Sequence, residues 1–144
     1  GIEIELFMPV AKFLSLYTPT VHKKQEDKSG LPYVFHPFHV AEQMDNEMEI
    51  CTALLHDVME DGKVGINNLR DFPDPIVDAL KLLTHDKEVP YLDYIRALKD
   101  NPIARKVKIA DLQHNSDLDR LDFVTDEDRA RVEKYQEALK ILEA

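Results

Sequence analysis

An all-α fold follows from three features of the sequence. Apolar residues recur at helical spacing, prolines and capping residues punctuate the segments, and no alternating, strand-like stretch of useful length occurs. With 144 residues, of which 44% are hydrophobic and 32% charged, the chain has the composition of an ordinary globular protein with room for one substantial core. The expected architecture is a single compact helical bundle spanning residues 1–144, without internal repeats or low-complexity tracts.

The first periodic segment runs from Ile4 to about Tyr17, where Leu6, Val10, Phe13, Leu14 and Tyr17 recur before Pro19 interrupts them. Val21 to Lys28 is polar and charged, and Lys28-Ser29-Gly30-Leu31-Pro32 reads as a loop with a turn. Pro37 suits the first position of the next helix, which is expected to reach about Met44, with Phe38, Val40 and Ala41 towards the core and His36 at its start. After the acidic break Asp45-Asn46-Glu47, a central helix is expected from about Met48 to Glu60, with Gly62 placed to cap it. A short helix is expected from Ile66 to Asp71. Asp74-Pro75 opens another, with the apolar stripe Ile76, Ala79, Leu80 and Leu83, and Pro90 starts the next, with Leu92, Ile95 and Leu98 facing inward. Asn101-Pro102 begins a longer helix through Ile103, Val107, Ala110, Asp111 and His114. In the last helix, Thr125 and Asp128 form a capping box ahead of Val132, Tyr135, Leu139 and Leu142.

Composition narrows the function classes. No apolar run is long enough to span a bilayer and no secretory leader is visible, so neither membrane insertion nor export is expected. The lone cysteine, Cys51, excludes an internal disulfide framework, suits a reducing cytoplasm, and sits among apolar neighbours as a packed thiol. A formal net charge of −10 argues against broad binding to a nucleic-acid backbone. It leaves room for a small anionic ligand beside local basic groups at Lys23, Lys24 and Lys28, or at Arg105, Lys106 and Lys108. No feature of the sequence fixes an oligomeric state.

The chain is organised around Ala53 to Asp61, ALLHDVMED. At about 100° per residue, a helix carrying this stretch places His56, Asp57, Glu60 and Asp61 within an arc of roughly 140°. Carboxylates so crowded repel one another and resist desolvation unless a cation compensates them. Imidazole nitrogen and carboxylate oxygen are both good ligands for a divalent metal. The same residues also suit a plain helix end, with its acids in water and one satisfied histidine. Two further stretches stand out: Tyr33 to Pro37 with its histidine, and Lys108 to Asn115, where Asp111 lies amid apolar residues.

In order, these histidines and aspartates form the pattern H…HD…D, which resembles the HD-domain metal-dependent phosphohydrolases. The stretches KSGLPYVFHP, ALLHDVMED and VKIADLQHN resemble more specifically the hydrolase domain of RelA/SpoT-type alarmone enzymes and their small stand-alone relatives, from about His22 to Arg120. The resemblance implies that His36, His56, Asp57 and Asp111 bind one divalent metal, typically Mn2+, which lowers the pKa of a water for attack on phosphorus. It implies that Glu60 and Asp61 orient or deprotonate that water and assist proton transfer. Lys28 and Lys108 match positions that meet phosphate oxygens, Tyr33 one that lines the nucleotide pocket, and Asn115, one turn beyond Asp111, one that bonds substrate or a ligating group. The implied reaction is hydrolysis of the 3′-pyrophosphate of guanosine tetra- or pentaphosphate to GDP or GTP and pyrophosphate. Synthesis of such nucleotides belongs, in the long enzymes, to a separate domain and is not expected here.

Two positions depart from the pattern. Asp27 and Leu112 stand where the long alarmone enzymes usually carry arginine, and neither donates to a nucleotide as a guanidinium does. A second reading therefore keeps the metal and changes the substrate to another nucleotide, such as a nucleoside monophosphate. A third is a binding module that senses a nucleotide without turning it over. Among the other histidines, His39 is expected to pack in the core and His114 to be structural, while His22 and His85 have no partner legible in the sequence. Tyr91, Tyr94 and Tyr135 are expected as core residues with a polar tip.

Overall fold

The computed structural model describes residues 35–60, 69, 72–117 and 123–144, without the side chains of 35–38 and 57–60. The expected helix over 4–17, the loop at 28–32, the short helix over 66–71 except for Leu69, and His22, Asp27, Lys28, Tyr33, Asp61, Gly62 and Arg120 lie outside the described residues. Six helices occupy the rest: α1 (Phe35–Glu42), α2 (Glu47–Glu60), α3 (Asp74–Leu83), α4 (Tyr91–Leu98), α5 (Pro102–Asn115) and α6 (Asp126–Glu143). There is no strand among the described residues.

Local chemistry sets most of the boundaries. At α2, Asn46 Oδ1 accepts from the Glu49 backbone N–H (2.9 Å) while a Glu49 carboxylate oxygen accepts from the N–H of Asp45 (2.9 Å), so two otherwise orphaned donors are satisfied. Asn101 caps α5 by accepting from the N–H groups of Ile103 (3.1 Å) and Ala104 (3.0 Å), with Pro102 in the first turn. Thr125 and Asp128 make the reciprocal capping box expected at α6. One boundary differs from expectation: α1 begins at Phe35, two residues ahead of Pro37. The first N–H groups of a helix have no intrahelical partner, so proline is tolerated anywhere in the first turn, and His36 lies inside the helix instead of before it.

Helix α2 packs against α1, α3 and α5, and α5 in turn against α1, α2, α3 and α6, so these two helices form the centre. One buried cluster draws on all six helices, with Leu54, Leu55, Leu69, Ile76, Leu80, Ile95, Leu98, Leu112 and Leu142 fully enclosed. Each such side chain contributes about 1.5–3 kcal/mol relative to exposure. On α4 the inward face is Tyr94, Ile95 and Leu98, and Leu92 is only half-buried. The Tyr94 hydroxyl donates to the Leu83 carbonyl (2.6 Å), which lets an aromatic with a polar tip displace the expected leucine from the core. The Arg105–Lys108 basic cluster is divided among three contacts. Arg105 Nε donates to the Leu142 carbonyl, Lys106 pairs with Asp45 and Glu49, and Lys108 turns into the core. The hydrogen bonds to Asp45 and then to Glu49 hold the Lys106 pKa above its ordinary value.

Cys51 is fully enclosed, and burial pushes its thiol pKa from 9.0 up to about 12. The folded state holds this proton more tightly than the unfolded state does. The resulting stability is fully present below pH 9.0 and is lost as pH rises towards 12. Two results are expected: no reaction with a disulfide reagent at pH 8 until denaturant is added, and a urea midpoint that falls more steeply above pH 9 than in Cys51→Ala. Rapid labelling of the native protein would contradict this burial. Among the described residues no helix is long and apolar enough to cross a membrane.

Candidate metal and nucleotide site

The central pair α2 and α5 brings together two residues that lie far apart in the chain. His56, on the last turns of α2, and Asp111, on α5, are each 4% exposed, and His56 Nε2 lies 3.5 Å from Asp111 Oδ1. The other imidazole nitrogen, Nδ1, meets the Ala53 carbonyl at 2.5 Å. A carbonyl only accepts, so Nδ1 carries the proton. In the neutral ring Nε2 then presents a lone pair towards a carboxylate oxygen. Two acceptors facing each other are stable only with a proton or cation between them, and a histidine whose other nitrogen donates to a backbone carbonyl is oriented as metal-ligating histidines are. The donor set therefore fits a divalent metal.

Asp111 is held on both oxygens. The Lys108 ammonium bonds Oδ2 at 3.1 Å from one helical turn before it, and the Asn115 amide donates to Oδ1 at 3.0 Å from one turn after. Lys108 is itself buried, its ammonium 5.4 Å from the centroid of the Tyr94 ring. Tyr94 stacks on His85, with ring centroids 4.5 Å apart, and His85 Nε2 meets the Val89 carbonyl at 2.7 Å. His85 thus gains partners that its sequence context did not reveal. The side chain matched to a phosphate position sits against the aspartate matched to a metal ligand. The asparagine lies where it fixes that same carboxylate.

The other matched residues have only positions. His36 lies in the first turn of α1, Asp57 directly follows His56, and Glu60 is the final residue of α2; their side chains lie outside the described residues, as do Asp61, Lys28 and Tyr33 entirely. Among the described residues no cluster of three metal-ligating side chains forms, since only His56 and Asp111 of the four expected ligands have described side chains. Leu112 is 1% exposed and packs in the core, so the departure from arginine places an apolar residue in an apolar setting. His39 differs from expectation. It is exposed on α1 and stacks on His114 of α5, with centroids 4.1 Å apart and an interplanar angle of 27°. Helical spacing alone gave no sign of this pair, because it depends on how two helices face each other.

No family model matches the chain. Curated relatives named GTP pyrophosphokinase do. The protein of Streptomyces coelicolor is 34% identical over 65% of this chain and 13% of its own length, and that of Myxococcus xanthus 30% identical over 93% of this chain and 20% of its own. The chain thus spans at most a fifth of the length of these relatives. Among solved structures, a metazoan ortholog of SpoT, described as hydrolysing ppGpp and acting in starvation responses, superposes with a TM-score of 0.70. The match is 22% identical and covers 96% of this chain and 85% of that one, which shows a shared all-helical fold.

Proposed function

We propose, from the premise that this chain is a RelA/SpoT-like HD domain, that it is a metal-dependent phosphohydrolase and that it cleaves the 3′-pyrophosphate of guanosine tetra- or pentaphosphate. The observation that carries the proposal is the convergence of His56 Nε2 and Asp111 Oδ1 in a buried setting, with the tautomer of His56 set by the Ala53 carbonyl. The full ligand set proposed is His36, His56, Asp57 and Asp111. Mn2+ is the expected ion, and when bound it supplies Lewis acidity and makes water nucleophilic at neutral pH.

The chain's own residues then divide the work. Lys108 and Asn115 fix the Asp111 carboxylate so that its oxygens are already oriented. Glu60 and Asp61 are assigned to orient and deprotonate the attacking water and to return a proton to the leaving oxygen. The water oxygen bonds to the phosphorus attached to the ribose O3′ as the bond between that phosphorus and O3′ breaks; the P–O–P bridge stays intact, O3′ takes up a proton, and the products are pyrophosphate and GDP or GTP with a free 3′ hydroxyl. Lys28 and Tyr33 are assigned to the phosphates and the nucleoside. Glu60→Gln is expected to retain metal and lose at least about 100-fold in turnover, the usual scale of a general base. Metal content measured beside steady-state rates checks it, and normal turnover would remove Glu60 from the proton-transfer pair.

Leu112 favours keeping a second reading, in which another phosphorylated nucleotide, such as a nucleoside monophosphate, is the substrate. A core leucine leaves no guanidinium at that position of α5. The deciding experiment incubates purified protein with guanosine tetraphosphate and manganese, follows pyrophosphate release, and includes a chelator-treated control. Chelator-sensitive release supports the alarmone reading. Absence of release from folded, metal-loaded protein, with orthophosphate released from a monophosphate, supports the second. Binding of nucleotide without any product would leave a sensing module.

A further inference from the structure

The two oxygens of Asp111 face different partners. Oδ1 lies 3.5 Å from His56 Nε2, whereas Oδ2 takes the Lys108 ammonium at 3.1 Å. Lys108 precedes Asp111 by one helical turn, a spacing that permits the contact without enforcing it. Its flexible four-carbon stem gives the ammonium several reachable positions, among which a fixed group outside that turn can select. The Tyr94 ring of α4 lies against this ammonium, with 5.4 Å from nitrogen to centroid. Tyr94 is buried and is itself held twice: its hydroxyl donates to the Leu83 carbonyl at 2.6 Å, and its ring stacks on His85 with centroids 4.5 Å apart and planes 26° apart. His85, between α3 and α4, is fixed in turn by its Nε2 contact with the Val89 carbonyl and by Tyr91, which meets it edge-on at 5.7 Å. A rigid aromatic wall thus stands beside a flexible cation.

We infer that Tyr94 is a positioning residue of the proposed metal centre: its ring holds the Lys108 ammonium on Asp111 Oδ2 and so leaves Oδ1 turned towards His56. The face of an aromatic ring carries partial negative charge and attracts a cation within about 6 Å of its centroid, most strongly where water is excluded. Both partners are closed to solvent here. Ring and carboxylate attract the same ammonium, one from α4 and the other from α5, so its position is set by two helices and not by the lysine stem alone. An ammonium released from the ring loosens its hold on Oδ2, and the broad terminal torsion of an aspartate then lets the carboxylate turn. Tyr94 acts only through Lys108. This role also gives a reason for tyrosine, and not the half-buried Leu92, on the inward face of α4. The inference rests on the metal reading of the site.

The test compares Tyr94→Phe with the same protein carrying pentafluorophenylalanine at that position. Fluorination reverses the charge of the ring face at nearly constant shape, and neither form has the hydroxyl, so packing and the bond to Leu83 cancel in the comparison. Melting temperatures are read without metal and with saturating manganese, with Lys108 intact and in Lys108→Met. Without metal, the fluorinated protein is expected to melt about 3–8 °C below Tyr94→Phe, and the difference is expected to shrink to about 1 °C in Lys108→Met. Manganese gives Asp111 a second positive partner and is expected to close at least about half of the difference with Lys108 intact. A difference that survives Lys108→Met marks a merely structural ring and overturns the inference. A difference that manganese leaves unchanged marks a cation contact that does not position Lys108 for Asp111, and overturns it too, as does equal melting of the two proteins. If Lys108→Met does not fold, the manganese comparison with Lys108 intact decides. A wild type whose melting temperature manganese does not raise rejects the metal reading, and the Lys108→Met comparison then decides whether Tyr94 holds Lys108. Neither readout uses turnover, so a protein that releases no pyrophosphate rejects the hydrolase and retains the positioning role.

Discussion

His56→Ala is expected to abolish both metal binding and hydrolysis. The imidazole is buried, its Nδ1 is committed to the Ala53 carbonyl, and its Nε2 faces Asp111 at 3.5 Å. No neighbouring group among the described residues duplicates that nitrogen in that position. Loss of an outer partner of a metal ligand typically lowers affinity by about 10–100-fold, and loss of a ligand itself is expected to exceed this. Manganese titration should show affinity reduced by more than about 100-fold, with pyrophosphate release at the level of the chelator-treated control. Asp111→Asn, which keeps the volume and removes the charge, is expected to do the same. A His56→Ala protein that is folded and binds manganese as the wild type does would exclude His56 from the ligand set.

Lys108→Met is expected to destabilise the metal-free protein by about 3–5 kcal/mol, because it leaves the Asp111 carboxylate buried without its ammonium partner. Both side chains are nearly closed to water, 7% exposed for Lys108 and 6% for Asp111, so solvent does little to screen the lost pair. Methionine fills similar space, which separates the loss of charge from the loss of packing against Tyr94. A bound divalent cation beside Asp111 restores a positive partner, so saturating manganese should raise the melting temperature of the variant by more than that of the wild type. Equal stability of variant and wild type without metal would show that Asp111 does not depend on Lys108. A variant with unchanged stability and a raised KM would instead return Lys108 to the phosphate-binding position that its sequence match suggests.

Much of the helical framework was legible because its causes are local. Asn101 and Thr125 cap the helices they precede through side-chain bonds two or three residues away, and Ile76, Ala79, Leu80 and Leu83 form a stripe whose spacing is itself the signal. Where local rules admit two outcomes, the tertiary structure chose. Pro37 fits several positions of a first helical turn, and Tyr94 enters the core because the Leu83 carbonyl of a different helix receives its hydroxyl. The i, i+3 and i, i+4 spacing of Lys108, Asp111 and Asn115 made contact among them readable in principle. That the lysine turns inward followed only from the burial of the α5 face it shares with Asp111.

By itself, then, the sequence determined an all-α chain, most helix boundaries within a few residues, and the residue types from which a metal site can be made. These depend on neighbours along the chain. Only the tertiary structure decided that His56 and Asp111 converge, that Lys108 serves Asp111, and that His39 meets His114 beside a cavity. Such contacts join different helices or depend on which helix face is buried. They are set by the packing of α1, α2 and α5 against one another, which no spacing within a single helix encodes.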